Sequence, residues 1–397
     1  MTTAEHAMAS SYMTEERRAI QQQAREFTLR EVLPVANRLD PEKGEIPMAL
    51  REKMAEMGYF GILIDEEHGG LGLGVFEYCL VTEELARGWM SVASIIARAN
   101  NLPGMEKLSA AQKADLLPRV ARGEWLGAFA MSEPNAGSDI GNISCRARRV
   151  SDGDGDGWVI HGNKYWCTFA DGADYLIVIA RTSPAPEGKK HKGLSAFMIP
   201  KKRGELPAGI QGAPIPKIGY HGWKTWELAF DEFRVPPDAL LGGEGEGFYL
   251  ASQGLEKARA HTAARAIGLA RGALEDSIAY ANEREQFGAP IGHFQAIRFK
   301  LAQMATEIEA ARQLNHFVCA QIDAGGRCDL EASMSKLFAT EMAERVTSEG
   351  LQIHGGAGYT TLHAVERYWR DARLTKIFEG TSEIQLRIIS DRLLGKR

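Results

Sequence analysis

Apolar positions along this chain change their period twice. Charged helix formers fill Glu15 to Glu31 and Pro41 to Met57, and the stretch from about Thr14 to Arg122 predicts helices separated by short breaks. Between about Leu126 and Leu241, short apolar runs take over at Trp158 to His161, Tyr175 to Ala180, Leu194 to Ile199 and Trp226 to Phe230, punctuated by Gly and Pro. Short strands without helical patterns between them predict a small antiparallel barrel or sandwich rather than a parallel sheet. After the glycine-rich break from Gly242 to Gly247, three- and four-residue steps return, in Ile267, Ala270, Leu274, Ile278 and Ala281 and again in Ile297, Leu301, Met304, Ile308 and Ala311. Core packing in a helical bundle accounts for both stripes without any chemistry. The expected fold class is therefore α+β and multidomain: an N-terminal helical domain over residues 1–125, a central small antiparallel β-barrel over 126–241 and a C-terminal helical bundle over 242–397.

Composition narrows the function classes. A chain of 397 residues with 44% hydrophobic and 25% charged residues buries a large core and leaves little room for disorder. A formal net charge of -5 argues against a protein that holds nucleic acid by neutralising phosphates. Cys79, Cys145, Cys167, Cys319 and Cys328 are odd in number and widely spaced, without a CxxC pair, which fits a reducing cytoplasm. The histidines form no HExxH or ligand cluster, so no metal is expected. Residues Met1 to Arg18 lack the apolar core of a secretory signal, and runs such as Tyr175 to Ala180 are too short to span a bilayer, so no membrane association is expected.

Two glycine-rich stretches invite functional readings and fail them. Glu66 to Gly74 lacks the GxGxxG spacing of a dinucleotide site opening a helix, and a connecting loop is expected. Asp152 to Gly157 resembles the start of a calcium loop, but Asn163 stands where the bidentate acid belongs, so a hairpin loop is expected.

Glu379 is the strongest single candidate for chemistry. It follows Ile377 and Phe378 and precedes Gly380, Thr381 and Ser382. A carboxylate held against apolar neighbours loses hydration, so its pKa rises and its basicity with it, while Gly380 lets a ligand approach the backbone. A solvated glutamate near a helix end is the plain alternative.

Four further segments resemble the acyl-CoA dehydrogenase family, in that family's order and over almost the whole chain. Phe129 to Asp139, with Glu133-Pro134 and Gly137-Ser138-Asp139, is similar to its strand-turn signature. Gly162 to Ala170 is similar to its Lys-x-Trp-Ile-Thr-Asn strand, departing at Cys167 and Phe169; Arg284 to Gly288 with Phe294-Gln295, and Gln352 to Tyr359, complete the set, the last departing at Leu362 and Ala364. The resemblance implies an FAD enzyme in which Phe129, Met131 and Ser132 lie against the isoalloxazine, Ser138 faces the cofactor or the CoA, Trp166 covers a flavin face and Thr168 reaches N5. It further implies that Arg284, whose guanidinium suits a pyrophosphate, serves with Phe287 and Gln295 the FAD of a neighbouring subunit, that the segment of Gln352 and Gly356 lets backbone approach the cofactor, and that Thr381 and Glu383 touch it. Taken alone, Arg284 also reads as a surface arginine at a helix end.

The implied reaction is α,β-dehydrogenation of an acyl-CoA thioester to the trans-2-enoyl-CoA, in fatty acid or amino acid catabolism. Glu379 would abstract the α-proton, the β-hydride would pass to flavin N5, and an electron-transferring flavoprotein would take the electrons. Some members place the base on the long helix instead, where this chain has Ala258; Arg259 would line the site near Glu379. Glu256 reads equally as a contact to the substrate's thioester arm or as an intrahelical ion-pair member. Arg98 falls where members line the acyl cavity; it reads either as a solvated arginine or as the partner of an ω-carboxylate. The family implies a homotetramer. Oxygen-using acyl-CoA oxidases or related flavoenzymes, and a non-catalytic acyl-CoA-binding relative, are the alternatives.

Overall fold

In a computed structural model, the described residues are 11–395 except Leu102, Asp154 and Pro186. Residues 1–10 of the segment read for a signal, and Asp154 of the calcium-like run, lie outside them. The rest of that run is a tight β connection, with Asp152 opposite Gly155.

The first helical unit comprises α1 (Glu15–Phe27), α2 (Leu33–Leu39), α3 (Met48–Glu56), α4 (Val75–Gly88), α5 (Met90–Ile95), α6 (Ala97–Asn100) and α7 (Ala110–Ala121). The expected helix from Pro41 to Met57 starts only at Met48. The chain first closes a turn, with Gly44 N–H donating to Leu39 O at 2.8 Å, and Pro47 then enters in extended conformation. Every residue of α4 is buried, so this helix is central rather than amphipathic. The Glu66 to Gly74 segment is a loop, packed so tightly that a Cβ on Gly70 would lie 2.0 Å from Ile64 O.

The middle unit is β1 (Gly127–Ala130), β2 (Arg146–Asp152), β3 (Gly155–Thr168), β4 (Tyr175–Arg181), β5 (Leu194–Pro200), β6 (Ile210–Pro214), β7 (Thr225–Val235) and β8 (Leu240–Leu241). They form one mostly antiparallel sheet in the order β6-β7-β3-β2-β4-β5-β8. The expected antiparallel arrangement is observed apart from two pairings, since β1 runs parallel to β4 and β2 meets β4 in parallel at Arg146 and Arg181. β4 is buried on both faces apart from its last residue, which explains its unbroken apolar run. The polar β2, Arg146–Asp152, has no such signature.

The second helical unit is α8 (Gly247–Ser252), α9 (Leu255–Glu283), α10 (Gln295–Asp323), α11 (Asp329–His354), α12 (Val365–Thr375) and α13 (Ser382–Leu394), with a small hairpin of β9 (Glu285–Gln286) and β10 (Ala289–Pro290) between α9 and α10. The stripes of α9 and α10 pack into the core. The two helical units also interlock through charge. Asp323 of α10 accepts the Val75 and Phe76 amides at 2.6 and 3.0 Å, capping α4, and α4 carboxylates pair with α9 arginines. No described helix is long and apolar enough to cross a membrane.

Candidate active site

Glu379 lies in the short link between α12 and α13, where the chain must reverse. Its φ of 54° and that of Gly380, 92°, place both in the left-handed region, an uncommon conformation for a glutamate. The buried Lys336 of α11 donates from Nζ to Gly380 O at 2.7 Å, and Gln385 Nε2 donates to the same oxygen at 3.0 Å. The turn is thus pinned from two helices. Among the described residues, no acceptor meets the Glu379 N–H.

The carboxylate itself is held by α9. Thr262 Oγ1 donates to Oε2 at 2.5 Å and Arg265 Nη2 donates to Oε1 at 2.7 Å. Arg265 is buried, also donates to Ser94 Oγ at 3.0 Å, and lies with its guanidinium 4.5 Å from the Phe378 ring centre. A third of the Glu379 side chain remains exposed, so the group is held yet reachable.

These contacts reverse one expectation. Burial is the largest influence on Glu379 and pushes its pKa up, but the Arg265 charge, His261 and the hydrogen bonds from Thr262 and Arg265 together hold it below the ordinary carboxylate value. Glu379 is therefore an anion at neutral pH, not a carboxyl made basic by apolar surroundings. Burial and Arg265 in turn push His261 down to about 3, so that imidazole is neutral; Tyr78 stacks on it at 4.8 Å. Lys336 is driven down to about 8 by burial, against the opposing pull of Glu379.

Arg265, Thr262 and Lys336 escaped the reading of the sequence, and the available signal was a cation inside the small apolar run Ala263-Ala264-Arg265-Ala266-Ile267. Arg259, the arginine expected beside Glu379, points to Asp329 O at 3.5 Å instead. Glu256 accepts from the Cys328 amide at 3.3 Å, across to α11 rather than within its own helix. Ala258 offers no carboxylate.

A second group surrounds the end of β3. Glu133 accepts from Ser144 N, Cys145 N and the buried Lys164 Nζ at 2.7 to 2.9 Å, and Lys164 also donates to Met131 O at 3.0 Å. Tyr165 N–H donates to Ser132 O at 2.8 Å. These bonds fix the Met131-Ser132 edge beside the strand that carries Trp166. Trp166, at φ 63°, leaves 55% of its surface bare, while Thr168 Oγ1 meets Thr225 Oγ1 at 3.0 Å. Phe129, Met131, Ser132 and Thr168 are half-buried and Ser138 is exposed. An uncovered indole beside half-buried backbone edges is a cradle for a flat, partly polar ring system, and the residues present fit a flavin. A row of rings joins this cradle to Glu379: Phe169 to Trp223 at 5.8 Å, Trp223 to Tyr220 at 5.3 Å and Tyr220 to Phe378 at 5.9 Å.

The remaining candidates gather elsewhere. Arg284 closes α9, Phe287 on the hairpin is 97% exposed, and Gln295, Gln352 and Gly356 are exposed nearby, linked through the stack of Tyr280 on His354 at 4.3 Å. A cavity of about 200 Å³ lined by Asp276, Tyr280, Glu283, His354 and His363 opens there, away from Glu379. At 1.5 Å per helical residue, Arg284 stands roughly 30 Å along α9 from Arg265. Thr381 caps α13 by accepting Ile384 N–H at 3.3 Å, and Glu383 is exposed in the first turn.

Fold and site together describe a flavin-handling scaffold with a clamped carboxylate. Family models agree: the N-terminal domain of acyl-CoA dehydrogenase matches residues 14–124, the middle domain 128–233 and the C-terminal domain 245–394. The chain belongs to the acyl-CoA dehydrogenase family, whose members are FAD-dependent, and is an oxidoreductase acting on acyl-CoA. It is 42% identical to (2S)-methylsuccinyl-CoA dehydrogenase of Cereibacter sphaeroides over 97% of this chain and 71% of that protein. Butyryl-CoA dehydrogenase from Megasphaera elsdenii superposes with a TM-score of 0.88 at 33% identity, over 96% of this chain and 99% of the other. A chain from the structural study of the electron transferring flavoprotein of Acidaminococcus fermentans and flavin-based electron bifurcation matches with TM-score 0.88 at 35% identity, over 97% and 99%.

Proposed function

We propose that the protein removes the α-proton and the β-hydrogen of an acyl-CoA thioester, with Glu379 as the base. The clamped, ionised and partly exposed carboxylate on a strained turn carries this reading. Proton abstraction next to a carbonyl requires a base fixed in direction and a donor for the oxygen on which charge develops. Glu379 is fixed by Thr262 and Arg265. Its own N–H, free of acceptors within the described chain, supplies the donor. Bound FAD supplies the acceptor for the β-hydrogen and its electron pair. The Met131-Ser132 edge, Trp166 and Thr168 would orient that ring system, and the Phe378 and Tyr220 rings pack edge to face beside the base.

Transfer of the electrons onward to an electron-transferring flavoprotein is favoured by the Acidaminococcus fermentans relative. The Arg284 group lies apart from the Glu379 clamp, roughly 30 Å along α9 from Arg265, which supports a homo-oligomer in which Arg284, Phe287, Gln295, Gln352 and Gly356 serve a neighbour's cofactor. The test is the visible spectrum of the purified flavoprotein titrated with acyl-CoA thioesters. Bleaching by at least one saturated thioester is expected; Glu379→Gln keeps the yellow colour and blocks bleaching, and an unchanged bleaching rate in that variant refutes the base.

A further inference from the structure

The acyl end of this site carries a charge that the chain leaves unbalanced. Arg98, on α6, stacks its guanidinium 5.1 Å from the Trp223 ring centre. Its Nε is buried without a hydrogen-bond partner, and so is the indole Nε1 of Trp223. Among the described residues, no carboxylate pairs with Arg98. A buried donor left unmade is costly, and two beside one cation mark a place where an acceptor belongs.

That place adjoins the base. Ser94, which accepts from Arg265, precedes Arg98 by four residues, and Ile96 between them keeps helical angles, so the residue that Arg265 bonds and Arg98 lie about one turn apart along the chain. Trp223, Tyr220 and Phe378 run in ring contact from Arg98 to Arg265. Tyr78, Tyr220 and His261 each feel Arg98, Arg265 and Glu379 together. Burial keeps both phenols protonated and His261 neutral. Two guanidinium groups thus bear on the same neighbours, while Glu379 is already engaged by Arg265. A methyl-ended acyl chain would seal the Arg98 charge away from water without a partner.

We infer that Arg98, with Trp223 Nε1, receives the far carboxylate of the acyl group, so that the substrate is the CoA monothioester of a short dicarboxylic acid. The inference rests on the reading that Glu379 faces an acyl thioester. Arg51 is the nearest comparable group: it is buried over Phe169 with Nε and Nη2 unpartnered, but it lies in the field of Asp174.

The test uses the intact flavoprotein and two ligands already dehydrogenated, so that neither reduces the flavin: glutaconyl-CoA, with a terminal carboxylate and its mass checked after the titration for loss of CO2, and 2-pentenoyl-CoA, with a methyl in its place. Calorimetry on the unaltered protein is expected to show about hundredfold tighter binding of the carboxylated ligand. Arg98→Gln makes the two ligands bind alike, and Arg98→Lys restores part of the preference. Equal affinities in the unaltered protein overturn the inference, as does a preference that survives Arg98→Gln or vanishes only with Arg51→Gln. Because neither ligand has the saturated α,β-bond that reduces the flavin, a protein that keeps the preference yet is bleached by no saturated thioester refutes the dehydrogenase reading and leaves the carboxylate subsite standing.

Discussion

Two arginine–carboxylate clusters occupy the same helical packing and do opposite work. In one, Glu83 and Glu84 of α4 are 3% and 1% exposed, and Arg271 and Arg312 meet them from α9 and α10, with Glu275 completing the network. In the other, Glu379 meets Arg265 on the same α9, yet a third of its side chain is open and its backbone is left-handed. The pairing is chemically alike in both. What separates a fastening from a reaction site is access and strain: the first is sealed and lies on regular helix, the second is held at one edge and presented at the other.

The difference is broken most sharply by neutralising each acid in turn. Glu379→Gln is expected to lower the rate of flavin reduction by about 10²–10⁴-fold while the protein stays folded and yellow, as stopped-flow and melting curves would record. Glu84→Gln should do the reverse. Leaving Arg271 short of a charge in a sealed site costs about 3–5 kcal/mol of stability in denaturant titration, with the rate per folded, flavin-loaded molecule unchanged.

Lys336 ties the reaction turn to the core, and its pKa near 8 makes that tie depend on pH. Between pH 8 and 10.5 the unfolded chain holds a proton that the folded chain has released, so stability from this group rises as pH rises through the window. Relative to Lys336→Gln, the unaltered protein should gain about 1–3 kcal/mol over that range; a flat difference would contradict the buried placement. For Glu379 the sign is the same, in a lower pH window. Its lowered pKa contributes stability that is present above the ordinary carboxylate value and lost as pH falls through the folded one. Arg265→Lys keeps the cation but not the planar fork that reaches Glu379, Thr262 and Ser94 together. Its expected effects are the smallest, a loss of about 1 kcal/mol and an upward move of the acid limb of kcat/KM.

The large features were legible because period and composition carry them. The apolar run of β4 and the stripes of α9 and α10 are direct consequences of what they bury. Glu379 was legible as a candidate through its glycine and apolar neighbours, and the segments proposed to face a flavin through family resemblance. The rest depended on contacts between residues far apart in the chain. Arg265 meets Glu379 across 114 residues, and no local pattern announces that a carboxylate will have its pKa lowered rather than raised. Arg259 and Arg265 lie on one helix with similar surroundings in sequence; only the packing of α11 decides that the first turns to Asp329. β2 stayed hidden because four of its seven residues are charged. The parallel placement of β1 was out of reach because its partner lies beyond β3.

The sealed cluster also has a clock. Arg271 reaches Glu84 across 187 residues, with the whole sheet between them. At about 5–20 residues per second of synthesis, roughly ten to forty seconds pass between the emergence of α4 and the arrival of its counterions. During that interval a helix destined for complete burial is on the ribosome with only Arg25 of α1 at hand for Glu84 and none of the partners of Glu83 yet made. The nascent chain must therefore be sheltered or stay loosely collapsed until α9 appears, and a release of the chain anywhere before residue 271 strands its most buried helix.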